Sequence, residues 1–347
     1  MAVLGTENLT LADWAKRTDD DGRVAVIIDL LSQTNMMLAD MIWMEGNLTD
    51  GYRTTVRTGL PEGTWRMMYQ GVAPTKSTTA QTTERVGNLE AYSNIDKALA
   101  DLNGNTAQFR LSEDRAFFEG MSQQMQSALL YSNQIETPAQ ITGFAPRYNT
   151  LDPDEAETAN NVIDMGGSAS TNTSIWWVQW GSDTCFGVFP RGKIGGLQHQ
   201  DLGQWTHQNS DGSLYEVYRS WFKWEAGLCV RDWRYVVRLA NIDVTALNGI
   251  NAANIINGLV KAGHLFPTAP ATVANVQSAT EPSGVVGPGR SAIYCNRTVA
   301  TYLDLQAANK ANVWLQQAQW DGMPITTFRG VPIRNVDQLL STEDAVT

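Results

Sequence analysis

The sequence has few of the residues from which disulfide frameworks and metal sites are built. Its 347 residues include three Cys and three His. The cysteines, Cys185, Cys229 and Cys295, lie far apart and form no CxxC pair, so the sequence predicts neither a disulfide framework nor a zinc ribbon. We expect them to be reduced and buried. The chain is long enough for about two domains, because a single core rarely grows beyond roughly 250 to 300 residues.

Catalytic motifs are also missing. The histidines, His199, His207 and His264, show neither HExxH nor another metal-ligand spacing. There is no GxSxG elbow, Walker loop or dinucleotide fingerprint, and Gly287 to Arg290 lacks the Lys-Ser/Thr of a phosphate cradle. The acidic segment Thr150 to Asn161 does not follow the EF-hand spacing. We therefore predict no catalytic residue, no cofactor and no metal site, which indicates a protein that is not an enzyme.

Long hydrophobic runs and a positive net charge are absent as well. The longest apolar run, Val24 to Leu31, is interrupted by Asp29, and no basic segment precedes an apolar core at the amino end. We expect a cytosolic protein and no membrane span. The net charge of -11 means that binding of the whole molecule to a phosphate backbone would act against its own field.

The chain does contain a long polar ribbon near its amino end. Thr, Ser, Gly, Arg and Gln dominate from Leu48 to Val86, and Tyr52 to Val72 predicts a strand, a turn at Gly59 to Gly63 and a return strand at Trp65 to Gln70. Each arm would be roughly 15 residues long, or about 50 Å at about 3.3 Å per residue. An isolated two-stranded hairpin is marginally stable in water. Something outside the chain's own core is expected to hold this ribbon.

Elsewhere the periodicity predicts a mixed architecture. Helical spacing occurs from Val24 to Gly46 and from Asn88 to Asn105, and a longer helix is predicted from a cap at Ser112 to Tyr131, with Phe117 and Met121 on its apolar line. The following elements are then predicted: strands about Gly181 to Asp183, a strand block from Ser174 to Asp243, a helix near Ala252 to Gly263, a strand Ser291 to Cys295, a helix capped by Asn296, and a strand Val331 to Val336.

Twelve Trp and a few carboxylates leave two alternatives open. Exposed aromatic platforms bind sugars, so a Trp-rich carbohydrate-binding β module of a phage tail or cell-wall protein is one of them. The side chains concerned are Trp176, Trp177, Trp180, Trp221, Trp224 and Trp233. The other alternative is a hydrolase that uses carboxylates such as Asp232 and Glu225.

Six segments carry a resemblance to a known family. LSQTN, EGNL, GYRTTVRTGLP, KSTTAQ, DLNGN and VRDWRYVVRLANID resemble segments of the major capsid proteins of tailed bacteriophages, in particular a podovirus-type group, and the likeness extends from about Leu9 to Val346. It implies an α+β fold of the Hong Kong 97 type. Such a fold has an N-terminal arm, an extended β-hairpin loop, a peripheral domain with a long spine helix, and an axial α/β domain.

The resemblance also implies a division of this chain. Residues 1–47 correspond to the arm, 48–88 to the extended loop, 89–245 to the peripheral domain with its spine helix at 112–131, and 246–347 to the axial domain. The strand block Ser174 to Asp243 precedes the block SAIYCNRTVATYLDL, whereas the commoner family members have the opposite order. A rearranged connectivity of the same architecture is therefore an open alternative.

What the resemblance implies about function is structural. Such proteins assemble as hexamers and pentamers into an icosahedral head that encloses double-stranded DNA, with a scaffolding protein, a portal and in some cases a decoration or cement protein as partners. The virion capsid, assembled in the host cytoplasm, is the implied location. In these shells the extended loop lies over a neighbouring subunit, which would hold the polar ribbon. The implied interface residues are Arg53, Arg57, Trp65, Arg66, Met67, Tyr69 and Lys76.

Overall fold

The computed structural model describes residues 33–102, 104–209, 211–247, 253–267, 290–308, 315–320 and 323–347, without the side chains of 307–325. Two predictions lie largely outside these residues: the first part of the helix from Val24 to Gly46, and the Pro/Gly-rich loop from Pro267 to Gly289. In the described part of that predicted helix only Met36–Asp40 is helical, and the prediction is wrong at Trp43–Glu45, which is a strand because it pairs with Gly187–Phe189. The helices are α1 Met36–Asp40, α2 Lys97–Ala100, α3 Thr106–Tyr131, α4 Ile255–Leu265 and α5 Arg297–Ala308. The strands are β1 Trp43–Glu45, β2 Gly51–Gly59, β3 Thr78–Arg85, β4 Gly87–Asp96, β5 Val162–Asp164, β6 Asn172–Gln179, β7 Cys185–Phe189, β8 Leu197–Gln208, β9 Leu214–Val230, β10 Val236–Asp243, β11 Ser291–Cys295, β12 Leu315–Trp320, β13 Met323–Phe328 and β14 Val331–Asn335.

In the described part of the chain these strands form two sheets and a separate hairpin. Sheet A has the order β1-β7-β9-β4, and β8 also pairs with the long central strand β9. Sheet B has the order β12-β13-β14-β11-β6-β10-β5. The strands β2 and β3 pair with each other alone and project from the end of sheet A.

Sheet B is covered on both faces, which explains the nearly continuous burial of β6 and β10. Alternate residues of β6 point to opposite sides: Trp176 and Val178 join the core beneath α3, whereas Ile175 and Trp177 join the core beneath α4 and α5. The boundary predicted between residues 245 and 246 runs through this sheet, because β6 and β10 share it with β11 to β14.

Helix α3 lies across the interior and ends at Tyr131, as predicted, but it begins at Thr106. The prediction of a cap at Ser112 is wrong. This residue sits inside the helix, where its hydroxyl donates to the carbonyl of Phe109 at 2.7 Å. The apolar line predicts the packing correctly, since Phe117 stacks on Phe222 with ring centroids 5.3 Å apart and Met121 is buried.

Two other predicted elements are wrong because contacts with distant parts of the chain decide the structure there. The segment predicted as a helix from Asn88 to Asn105 forms β4 followed by the short α2, because β4 pairs with β9 over its whole length. The neighbouring strand overrides the weak local preference. The strands on either side of Gly181 to Asp183 exist but do not form a hairpin, since β6 and β7 belong to different sheets.

The carboxyl-terminal elements follow the sequence pattern. The strands β11 and β14 and the helix α5 occur where they were predicted. The Asn296 side chain accepts a hydrogen bond from the backbone N–H of Thr298 at 3.1 Å, which is the predicted cap of α5.

Candidate assembly interface

The base of the β2–β3 hairpin rests on the end of sheet A. The Tyr52 ring packs edge-on against Phe186, with ring centroids 5.2 Å apart, and the buried Thr54 hydroxyl lies 3.8 Å from the Cys229 sulfur. Phe186 and Cys229 belong to a small buried cluster with Val188. These contacts involve the first residues of β2, so they fix the start of the hairpin.

A partly buried ion pair holds the second strand, β3, at the base of the hairpin. The two Nη atoms of Arg147, in the loop after α3, each donate to one carboxylate oxygen of Glu84 on β3 at 2.6 Å. The same guanidinium donates to the carbonyls of Gly143 and Thr142 at 3.2 Å and of Leu228 at 3.5 Å. Burial opposes its charge, yet the hydrogen bonds and the charge of Glu84 raise the pKa of Arg147 above its ordinary value.

Beyond this base the hairpin is exposed on both faces. Every side chain from Thr55 to Thr58 and from Thr78 to Thr83 is exposed. The paired strands contain 9 and 8 residues, so the arms are shorter than predicted. As the sequence indicated, the hairpin has no apolar face of its own that could stabilise it.

The prediction of a return strand at Trp65 to Gln70 is wrong. These residues belong to a long tip, residues 60–77, in which no strand occurs, and the return strand is β3. Large and polar side chains alternate in this segment, but the segment does not form a strand. Neither a partner strand nor a core surface lies beside it.

A tight turn shapes the end of the tip. The backbone N–H of Gln70 donates to the carbonyl of Met67 at 3.2 Å, and Arg66 donates to the carbonyl of Gln70 at 3.0 Å. Within this turn Tyr69 has a φ of 68°, a left-handed conformation that is uncommon for a bulky residue. Farther back in the tip, the Thr75 hydroxyl donates to the carbonyl of Glu62 at 3.1 Å.

All seven residues implied as interface residues are exposed on the hairpin. Arg53 and Arg57 lie on β2, and the tip carries Trp65, Arg66, Met67, Tyr69 and Lys76. Arg53 makes one long side-chain contact, from Nε to the Thr83 hydroxyl at 3.4 Å. None of the four cationic side chains forms an ion pair with a carboxylate of the described residues.

The tip also exposes an unusual amount of apolar surface. Trp65 and Tyr69 have relative exposures of 102% and 103%, and Met68 of 88%. Leu60, Met68 and Val72, which are also exposed, were not among the predicted residues. Clustered exposed apolar side chains mark interaction surfaces. The sequence signal that could have identified them is the placement of apolar residues in a segment otherwise made of polar residues and glycine.

Most of the Trp residues considered for a carbohydrate-binding platform are not available to a ligand. Trp176, Trp177, Trp180 and Trp224 are buried, with exposures between 0% and 9%, whereas Trp221 and Trp233 are half-buried. Indole rings inside the core stabilise the fold and cannot stack on a sugar.

The carboxylates considered for a hydrolase are bound to cations of their own. Asp232 accepts hydrogen bonds from the Arg234 guanidinium at 3.0 and 2.7 Å. Glu225 pairs with Lys193 at 2.6 Å and with Lys223 at 3.3 Å. These are surface ion pairs, and nothing in their geometry indicates a general acid or base.

A second cluster of charged side chains joins α3 to sheet A. The carboxylate of Asp114 on α3 faces the Ser220 hydroxyl at 3.3 Å and the His199 ring at 3.6 Å. Arg110 and Asp201 pair beside it. The Asp114 Oδ1 atom is buried without a hydrogen-bond partner among the described residues. Burial raises the pKa of Asp114, against the opposing effects of His199, Ser220 and Arg110.

We expect Asp114→Asn to stabilise the subunit at neutral pH by about 1 kcal/mol, because a charged carboxyl with an unpartnered buried oxygen is costly. A folded-state pKa above that of the unfolded chain means that the stability linked to this group is present in acid and is lost as the pH rises through the folded pKa. The difference between variant and wild type should therefore shrink from pH 8 toward pH 4. Urea unfolding at several pH values measures it, with the exposed Asp154→Asn as control. A pH-independent difference would contradict the assignment.

Other functional features are few in the part of the chain that the structure describes. No helix there is long and apolar enough to cross a membrane. No group of three or more His, Cys, Asp or Glu side chains is placed to hold a metal ion in that part.

Comparisons with known proteins complete this picture. A family model, "Major capsid protein GP7", matches residues 19–347. A chain in the near-atomic-resolution structure of bacteriophage Epsilon15 is similar over 100% of both chains, with 34% identity and a TM-score of 0.78. The capsid of a native GTA particle is similar over 67% of this chain and 98% of its own, with 10% identity and a TM-score of 0.45. The bacteriophage JBD30 capsid is similar over 89% and 92%, with 9% identity and a TM-score of 0.43. No curated protein matches the chain significantly.

Proposed function

Because the chain belongs to the family of the major capsid protein GP7, we propose that its copies assemble as hexamers and pentamers into an icosahedral phage head that encloses double-stranded DNA. The chain is a capsid shell protein located in the virion. The proposal concerns how one copy holds the next in that shell.

One observation carries the proposal: the hairpin has a fixed base and an exposed end with no core of its own. In the described residues its contacts with the body end near Thr54 and Glu84. An exposed cluster of aromatic and Met side chains lies at the far end. Interfaces between proteins are enriched in these residue types and in Arg. The tip is therefore suited to pack against a neighbouring copy, with Trp65, Met67 and Tyr69 as apolar anchors.

Charge supports the same arrangement. Between residues 51 and 85 the sequence has five cationic side chains and two carboxylates, a net charge of +3, in a chain whose net charge is -11. The cations are Arg53, Arg57, Arg66, Lys76 and Arg85. The hairpin therefore carries a charge opposite to that of the rest of the chain. Electrostatic attraction between hairpin and neighbour would guide the association and lower the number of wrong encounters.

We also propose that the chain is divided into the four parts that its resemblance to capsid proteins implies. Residues 1–47 serve as the arm, 48–88 as the extended loop, 89–245 as the peripheral domain with α3 as its spine helix, and 246–347 as the axial domain. The shared sheet B favours the refinement that β6 and β10 belong structurally with the axial elements.

Further partners follow by analogy with related shells. We propose a scaffolding protein and a portal during assembly in the host cytoplasm, and a decoration or cement protein on the finished head. The packaged DNA would be enclosed without specific binding, since the net negative charge of the chain repels phosphate, and Mg²⁺ or polyamines would screen this repulsion.

Expression of the protein followed by size-exclusion chromatography and electron microscopy tests the proposal. We expect rings, sheets or closed shells at high protein concentration, and a reconstruction in which each hairpin lies on an adjacent copy. A protein that remained a 38.2 kDa monomer at every concentration, or a hairpin folded back on its own subunit, would overturn it.

A further inference from the structure

The Glu84–Arg147 pair lies where the hairpin leaves the body. We propose that this pair is a positioning device: it sets the direction of the hairpin and hence the angle at which one copy holds the next. The inference rests on the proposed function, in which the hairpin packs on a neighbouring copy. It concerns how regular the assembly is, whereas the tip residues decide whether assembly occurs.

Arg147 is held rigidly relative to α3. It ends the short 3₁₀ segment Ala145–Arg147, and its N–H donates to the carbonyl of Phe144 at 3.0 Å. The N–H of Phe144 donates to the carbonyl of Leu129 in the last turn of α3 at 2.9 Å, and Gly143 donates to Ser132 at 2.8 Å. With its further bonds to three backbone carbonyls, the guanidinium has little freedom to move.

Glu84 is coupled to both strands of the hairpin. It lies opposite Tyr52 in the ladder, and the next pair, Gly51 and Arg85, approaches so closely that a Cβ on Gly51 would lie 2.1 Å from the Glu84 carbonyl oxygen. Just outside the ladder, the N–H of Val86 donates to the carbonyl of Asp50 at 3.0 Å. A shift of the Glu84 backbone therefore moves the whole base of the hairpin.

The two strands are attached in different ways. β2 contacts the body through the edge-on packing of Tyr52 on Phe186 and a long Thr54–Cys229 contact, and its Arg53 backbone exchanges two hydrogen bonds of 2.7 Å with the Asn47 side chain in the segment just before it. β3 is attached through two parallel N–H···O bonds, whose geometry fixes an orientation. The ion pair is therefore the directional contact that joins β3 to the segment after α3, and we infer that, with β2 held at Asn47, it sets the rotation of the hairpin about its base.

A small rotation at the base has a large effect at the tip. Eight residues of strand span about 26 Å at about 3.3 Å per residue, so a rotation of about 10° displaces the far end by about 4–5 Å. Such a displacement exceeds the tolerance of a close-packed contact. A loosened base would thus let the tip contact a neighbour at several angles.

Glu84→Gln tests the inference, because it removes the charge and one acceptor with almost no change of shape. The matched control is Glu90→Gln on β4, which removes a carboxylate that pairs with Lys223 away from the hairpin. In the unassembled subunit we expect amide hydrogen exchange at residues 51–58 and 78–83 to accelerate about tenfold in Glu84→Gln and to stay unchanged in the control. In assembled samples, electron microscopy should show a several-fold lower share of particles of uniform diameter.

Glu84→Asp provides a second variant, since it keeps the charge but shortens the reach; its exchange rates should lie between those of wild type and Glu84→Gln. Unchanged hairpin exchange in Glu84→Gln would overturn the inference, and so would uniform shells from a variant whose hairpin is loosened. If Glu84→Gln forms uniform shells while variants of the tip form none, the positioning role fails and the proposed function stands. If variants of the tip still form shells, the proposed contact between the hairpin and a neighbouring copy fails, whatever the exchange measurement shows.

Discussion

A variant in which residues 60–77 are replaced by Asn-Gly is expected to remain folded and to form no shells. Gly59 and Thr78 are paired in the ladder, so a two-residue turn of type I′ can join them without disturbing the hairpin base. The deleted side chains lie outside the buried clusters of the described residues. The melting temperature of the subunit should therefore be nearly unchanged.

The effect on assembly should be large because the contact is repeated in every copy. Truncating one central aromatic anchor of an interface costs about 2 kcal/mol or more, which is roughly a thirtyfold weaker contact. The deletion removes both Trp65 and Tyr69 together with the Met side chains. Light scattering and electron microscopy should detect no particles at concentrations where wild type assembles.

A control with equally exposed side chains elsewhere separates this effect from a general loss of apolar surface. Ile135 and Ile194 have relative exposures of 90% and 79% and lie outside the hairpin. The double variant Ile135→Ser/Ile194→Ser should assemble like wild type. Normal particles from the tip deletion, or failed assembly of this control alone, would contradict the role assigned to the tip.

Glu343→Ala is expected to destabilise the subunit by about 3–5 kcal/mol, the cost of leaving one member of a buried ion pair without its partner. Arg238 and Glu343 are almost fully buried, with side-chain exposures of 5% and 6%, and their atoms Nη2 and Oε2 lie 2.9 Å apart. Glu343 also accepts hydrogen bonds from Tyr131 and Ser174. Removing the carboxylate takes this acceptor from both hydroxyls and leaves the charge of Arg238 without its counterion between sheet B and α3, although Arg238 keeps its bonds to Ser174 and Tyr148.

Urea unfolding of the unassembled subunit measures this loss. The matched comparison is the double variant Arg238→Met/Glu343→Leu, which removes both charges and should be more stable than Glu343→Ala, since paired apolar groups of similar size replace a buried pair at little cost. A loss below about 1 kcal/mol in Glu343→Ala would contradict the prediction, because it would imply that water reaches Arg238. The destabilised variant should also yield fewer particles, through loss of folded subunits.

The sequence predicted best where burial repeats with a regular period. The long strand β9 and strand β10 lie within the predicted strand block, and the last residue of α3 is correct. The α+β fold of a phage capsid protein is confirmed by the similarity to the Epsilon15 structure, at 34% identity. By contrast, β4 was predicted as a helix, because its spacing of Leu89, Tyr92 and Ile95 fits a helix and its pairing with β9 depends on residues more than a hundred positions away.

The candidate interface could be predicted in part. The polar composition of residues 48–86 correctly indicated a hairpin without its own core, and the seven implied residues are all exposed. Their contacts with a neighbour remain predictions. The Glu84–Arg147 pair could not be found from the sequence, since the two residues are 63 positions apart and no local pattern relates them. The mistaken return strand shows that alternation predicts a strand only where a surface exists to bury one side of it.

The hairpin and the rest of the chain carry opposite net charges, and this affects how free subunits orient when they associate. Two cationic hairpins repel each other, and so do two acidic bodies, whereas a hairpin approaching a body is attracted. If the hairpin packs on a neighbour as proposed, we expect pairing of identical hairpins about a twofold axis to be disfavoured, and head-to-tail contacts, in which each copy gives and receives one hairpin, to be favoured. Contacts of this heterologous kind close into rings when the rotation per step divides a full turn. The number of copies in a ring then depends on the angle between successive copies rather than on the strength of the contact.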